Sequence, residues 1–250
     1  MFRKLEIKTL IILLGVMLMM VSCGDESKRL DRSTFGFEFF PIEESQSRLY
    51  RVEETLIQSL GTQNTTSTYF LREDIIESFI NTVGDTIFKV QRSRSDTEDG
   101  VFIPTDIWTS ELTENAARRV EENLEFVKMI FPFSVGTTWE GNLFDAQIDI
   151  NIAENLVKVY KDWGKYEIGA KGIEFAVEGE NYTNVTRVDQ ANFESEIELR
   201  FAVEYYAADI GLIQRELEIF DSQCTTCDGQ PWIQRAQTGF KLKQTLIDHN

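Results

Sequence analysis

From Glu196 to Tyr206 the chain alternates residue by residue. Ile197, Leu199, Phe201 and Val203 fall on one face, and Glu196, Glu198 and Arg200 on the other. A period of two is the signature of an extended strand. A two-faced strand belongs in an antiparallel sheet that is packed on one side and wet on the other. The apolar row is therefore expected to face the core and the charged row the solvent. Further strand candidates are Arg48–Leu60, Leu143–Ile150, Thr183–Val188 and Ile210–Phe220, with Tyr69–Ile80 and Thr86–Arg94 around the hairpin turn Asn81-Thr82-Val83-Gly84-Asp85. Lys165–Ile168 and Gly172–Val177 flank Gly169-Ala170-Lys171, and Thr238–Asp248 closes the chain with Phe240, Leu242, Gln244 and Leu246 on one face. Ser93–Gly100 reads as a charged loop and Ser222–Ile233 as the loop of a final hairpin. The fold class expected is mainly β: an antiparallel sheet, curved or barrel-like.

Asn115–Ile130 admits two readings. Ala116, Ala117, Val120, Leu124 and Val127 have helical spacing, while Leu124–Ile130 equally fits a buried strand. A short motif occurs twice. Phe40-Pro41-Ile42 through Tyr50 aligns without gaps on Phe131-Pro132-Phe133 through Gly141, 91 positions later. Each copy has Phe-Pro-apolar, then a small turn residue, then a strand start, so each is expected to open one half of the domain, 37–128 and 129–250.

The N-terminus has its own logic. Arg3, Lys4 and Lys8 precede the apolar run Leu10–Val21, 12 residues long. A membrane-spanning helix takes about 20 apolar residues, so the run reads as the core of an export signal, residues 1–22. Met20-Val21-Ser22-Cys23-Gly24 follows, and it resembles the lipobox of bacterial lipoproteins, in which the cysteine thiol takes a diacylglyceryl group. Cys23 is the expected lipidation site, 23–36 a polar tether, and 37–250 a β-rich domain. Several acyl chains on one residue make a stable anchor, at about 0.8 kcal/mol per buried CH₂.

Removing residues 1–22 leaves 228 and shifts the net charge from −17 to −19, since three basic residues and one acidic residue go with the signal. Phosphate binding needs Lys and Arg, so no nucleic acid is expected. The acidity likewise argues against docking on anionic lipid. A hydrophobic content of 42% with 18 Phe points to a folded domain.

Cys224 and Cys227 form a CxxC flanked by turn residues. In an exported protein a structural disulfide is the expectation. A thioredoxin-like pair needs a strand before it and a helix after it. A zinc site needs two more ligands, and the one histidine is His249, next to the C-terminus. No metal or cofactor is expected.

The motifs quoted above, Phe131-Pro132-Phe133-x-x-Gly136-x-x-Trp139 followed by Gly141-Asn142, together with Asp209-Ile210-Gly211-Leu212-Ile213 and the closing Gly239-Phe240 and Thr245-Leu246-Ile247, resemble a family of β-rich lipoproteins of the Gram-negative envelope. The first copy departs from that pattern, with Ser45 and Arg48 in place of glycine and tryptophan. The resemblance implies a β-rich lipoprotein and no activity. It also tilts Asn115–Ile130 towards a strand hairpin turning at Glu122-Asn123.

There is no Gly-x-Ser-x-Gly, phosphate-binding loop or His-Glu-x-x-His, and no histidine placed for a nucleophile. Asp96–Gly100 has the look of a calcium loop without the ligand spacing or closing glutamate of an EF-hand, and reads as a solvated acidic turn. Trp108, Trp139, Trp163 and Trp232 suit either core packing or a sugar or ligand platform. Packing is the expectation, and Trp232, beside the cysteines, is the one to test. The function expected is a non-enzymatic structural or protein-interaction module in the cell envelope, on the outer membrane and facing periplasm or surface. The alternative is a carrier for an apolar ligand such as a lipid. A dry, Phe-lined concavity favours the carrier and a filled core the module. A hydrolase built on carboxylates alone needs two acids facing each other across a cleft.

Overall fold

The computed structural model describes residues 35–58, 62–143, 149–152, 155–161, 163–224, 226–227 and 229–250. The export signal, Cys23 and most of the tether lie outside the described residues. Among the described residues there are fourteen strands. The first six are β1 (Ser47–Gln58), β2 (Gln63–Ile80), β3 (Thr86–Ser95), β4 (Ile103–Leu112), β5 (Ala116–Glu121) and β6 (Leu124–Ile130). The rest are β7 (Thr138–Trp139), β8 (Asp149–Ile152), β9 (Asn155–Lys158), β10 (Tyr166–Val177), β11 (Glu180–Glu194), β12 (Glu198–Ala207), β13 (Gly211–Asp221) and β14 (Thr238–His249).

Twelve of these make one antiparallel sheet in the order β6-β5-β4-β3-β2-β1-β14-β13-β12-β11-β10-β7, and β8 and β9 pair separately. Its two ends meet. Val127 N–H of β6 donates to Gly141 O at 2.8 Å, Phe126 and Asn142 form an antiparallel bridge, and Trp139 Nε1 donates to Val127 O at 2.7 Å. The sheet is thus a nearly closed barrel, as the two-faced strand pattern led us to expect. Asn115–Ile130 is a hairpin. Glu122 and Asn123 take φ of 51° and 66°, the left-handed pair that a two-residue hairpin turn requires.

The two motif copies build the same corner. Ser45 N–H donates to Ile75 O and Ile75 N–H to Gln46 O, both at 2.9 Å; Gly136 N–H donates to Ile168 O and Ile168 N–H to Thr137 O, again at 2.9 Å. Ser45 and Gly136 both sit at positive φ, 70° and 84°. Each corner then starts a six-strand meander: β1 through β6, and β7 with β10 through β14. The last strand of each meander lies beside the first strand of the other.

Three details differ from the sequence reading. Lys165–Ile168 and Gly172–Val177 are not two strands around a turn. β10 runs on from Tyr166 to Val177, and its register to β11 shifts at Ile168, Ala170 and Ile173, so bulges absorb the glycines. Of the candidate Leu143–Ile150, Leu143 is a turn, β8 begins at Asp149, and 144–148 lie outside the described residues. The third is the face assignment of β12. Arg200 and Glu204 are buried, at 1% and 0% exposure, while Ile197 is 53% exposed in the turn before the strand. The charged row faces inward.

Among the described residues the chain itself packs the barrel interior. Phe39 and Phe40 of the segment before β1 pack with Phe131, Phe133, Trp139 and Tyr206. At the same end, Asp209 N–H donates to Glu38 O and Arg48 Nη2 to Pro41 O. Val157, Val159 and Trp163, between β8 and β10, join the same core as Leu217, Ile219 and Phe240. β9 also packs against β14, which is five strands from β7 along the sheet, so that segment crosses the inside.

Candidate functional site

Inside the barrel lies a connected set of buried charges. Glu204 on β12 is its centre. It accepts from Lys128 Nζ at 2.7 Å, Gln190 Nε2 at 2.7 Å and Tyr206 OH at 2.6 Å, and Arg215 Nε lies 3.5 Å away. Lys128 and Arg215 also reach Glu121, at 3.2 and 3.4 Å. β5 and β6 are far from β12 and β13 along the sheet, so these pairs span the interior. Beside them Glu73 is held by Arg119 at 2.5 Å and Arg92 at 3.2 Å. Both guanidinium groups lie over the Trp108 ring, 4.8 and 3.7 Å from its centroid.

Burial alone pushes a carboxyl pKa up. For Glu121 the charges of Lys128 and Arg215, then Arg119 and Arg92, outweigh it and hold the group well below the usual carboxylate range. At Glu73 burial is likewise outweighed by Arg119 and Arg92, and the net shift is downward. Burial, then Glu204, raises the Tyr206 phenol well above its ordinary value. These carboxylates are committed to cations within the cluster. The adjoining cavity between Tyr50, Glu73, Arg119 and Tyr206 offers about 30 Å³, room for a water or two. Among the described residues the cluster joins strands, and the cavity that adjoins it is of water size.

Sequence reasoning missed this cluster. One signal pointed to it: Lys128 stands alone in the apolar run Phe126-Val127-Lys128-Met129-Ile130, and a buried lysine is almost always paired. The tryptophans mostly pack. Trp108, Trp139 and Trp163 are 5–7% exposed. Trp232 opens the short helix Trp232–Arg235, donates through Nε1 to Glu194 at 2.8 Å, carries Arg235 over its ring, and covers Ile57 and Phe220. Cys224 and Cys227 are bonded to each other, Cα atoms 5.6 Å apart, in the loop between β13 and β14. They are not part of the buried cluster. Asp96–Gly100 closes as a turn, with Gly100 N–H donating to Thr97 O at 3.1 Å.

The outer surface carries a second feature. On the outside of β10, β11 and β12 lies an open groove of about 510 Å³, lined by Lys165, Glu167, Arg187, Asp189, Phe201 and Tyr205 among others. Phe175 stacks on Tyr205, centroids 4.1 Å apart and planes 11° off parallel.

No family model matches the sequence, and no curated protein matches it. Two solved structures are similar. One, named a "putative lipoprotein" of Parabacteroides distasonis, has a TM-score of 0.38 at 10% identity over 87% of this chain and 99% of that one. The other, named a "putative exported protein with YmcC-like fold" of Bacteroides fragilis, has a TM-score of 0.36 at 8% identity over 85% and 98%. Likenesses of that depth assign neither a family nor an activity.

Proposed function

We infer that the chain is an envelope lipoprotein, anchored through lipid on Cys23 to the outer membrane, whose β-barrel domain works from its outer surface as a non-enzymatic structural or interaction module. The observation that carries this reading is the packing of the barrel interior among the described residues. A carrier for a lipid needs an enclosed apolar site of about 300–1,000 Å³. Here Phe39, Phe131, Phe133 and Val157 occupy that space, and the cavity beside the ion cluster has about 30 Å³. The lipobox residues Met20–Cys23 support the anchor.

Two measurements test the two parts. Metabolic labelling with a fatty acid should mark the wild-type chain and not Cys23→Ser; labelling that persists in the variant refutes the anchor. Native mass spectrometry of the full chain in detergent should show the bare covalent mass. A stoichiometric co-purified lipid, beyond the acyl groups on Cys23, would replace the module with the carrier.

A further inference from the structure

The groove on β10–β12 departs from the pattern that folds a strand. Phe201 and Tyr205 lie in it partly exposed while Arg200 and Glu204 of the same strand are buried within. Local breaks of the inside–outside rule concentrate at functional sites. The polar groups break a second rule. Glu167 and Asp189 stand directly opposite each other in the β10–β11 register, and like charges so placed destabilise a sheet. Arg187 Nη2 donates to Asp189 at 2.9 Å, and the indole Nε1 of Trp163, a buried residue that also lines the groove, has no hydrogen-bond acceptor among the described residues. Buried donors of this kind are normally satisfied. Gly169 lies beneath the pair: a Cβ there would fall 2.0 Å from Asp189 Oδ2 and 2.5 Å from Arg187 Nη2. The missing side chain lets the ion pair lie against the sheet.

We propose that this groove binds a neutral saccharide chain. The charges that line it balance, Lys165 and Arg187 against Glu167 and Asp189, and Lys165 is further engaged by Glu140 at 3.5 Å, in a chain of net charge −17, so it offers no net positive charge to an acidic ligand. Carboxylates only accept and guanidinium and indole groups only donate. A ligand that satisfies both at close spacing is one whose groups do both, and hydroxyls do. Phe201, and the face of Tyr205 that Phe175 does not cover, supply flat apolar surfaces for the C–H face of a sugar ring. A peptide strand would recognise a free sheet edge; β11 and β12 have a partner on each side, and Glu167, the groove residue on β10, lies where β10 pairs with β7. The proposal goes beyond the envelope-module reading by naming the chemistry of the partner, and depends on that reading only for where the partner is met.

The test uses the full chain in detergent on an array of neutral hexasaccharides, α- and β-linked glucose, mannose and galactose, followed by isothermal titration with the best binder. At least one neutral oligosaccharide should bind. Tyr205→Ala and Asp189→Asn should each weaken it at least tenfold. Lys165→Glu, at a side chain 62% exposed whose ion pair with Glu140 is itself solvent-exposed and contributes little to folding, should weaken it at least threefold, and Val101→Ser, on the distant β3–β4 turn, should leave it unchanged. Binding to none of the sugars, equal binding by all variants, or a preference for acidic polymers or peptides would overturn the proposal. Fatty-acid labelling of the same preparation reports the anchor separately, so the two readings fail independently.

Discussion

Replacing Glu204 by Gln keeps the shape of the side chain and removes one charge from the middle of the barrel. The carboxylate now meets Lys128, Gln190 and Tyr206 at 2.6–2.7 Å, with Arg215 at 3.5 Å. The amide would turn an NH₂ towards a set of donors and strand Lys128 and Arg215 against Glu121 alone. Breaking a buried pair by removing one partner costs about 3–5 kcal/mol. A domain of this size loses about 2–4 °C per kcal/mol, so the thermal midpoint should fall by about 6–20 °C at pH 7, read by circular dichroism with a urea titration as a check. The double variant Lys128→Met, Glu204→Gln removes the stranded cation as well and should recover at least half of the loss. A midpoint within about 2 °C of wild type, or losses that simply add in the double variant, would refute the reasoning.

The remaining predictions concern the same framework. Glu73 and Glu121 are held below their unfolded pKa of about 4.3. Their stabilisation is therefore complete above that value and lost as pH falls through the folded value; urea unfolding from pH 7 to 2 should show a steep loss below pH 4, and Glu121→Gln should flatten it. Gly239 sits at φ 123°, where a Cβ would fall 2.0 Å from Ile219 O on the neighbouring strand; Gly239→Ala should cost about 3 kcal/mol, strain and overpacking together, measured by chemical denaturation. Ser45 takes the left-handed φ of 70° that its counterpart Gly136 also takes, so Ser45→Gly should stabilise by up to about 1 kcal/mol, whereas Gly136→Ser should destabilise by a similar amount.

Where local chemistry decides, the sequence was readable. Strand existence followed from the period of two, and the corners at Ser45 and Gly136 from a Phe-Pro motif with a small residue at a fixed offset. The hairpin at Glu122-Asn123 was left open by the residues alone, because Ala and Arg favour helix while Leu124–Ile130 suits a strand; tertiary pairing with β4 settled it. Glu204 and Lys128 are 76 residues apart, and no local pattern relates them. The groove was hidden for the same reason: Glu167, Asp189 and Tyr205 come from three strands, and alternation cannot say which of two faces is inside.

That last ambiguity has a physical origin in the width of the barrel. Side chains just fill a barrel of about eight strands, and diameter grows with strand number. Twelve strands enclose more than aliphatic side chains can span. The chain meets the excess in two ways. It places its own residues in the lumen, Phe39 and Phe40 at one end and Val157 and Val159 within. It also spans the rest with its longest side chains, Arg, Lys, Glu and Tyr, which can be buried only as a paired set. On β12 the inward positions went to Arg200, Glu204 and Tyr206, and the aromatic row was left outside. A strand that is apolar on one face is thus not evidence for where the core lies once the barrel is wide enough to need charge inside it. The same geometry that fills the lumen with ion pairs leaves Phe201 and Tyr205 on the outer sheet, available to a ligand.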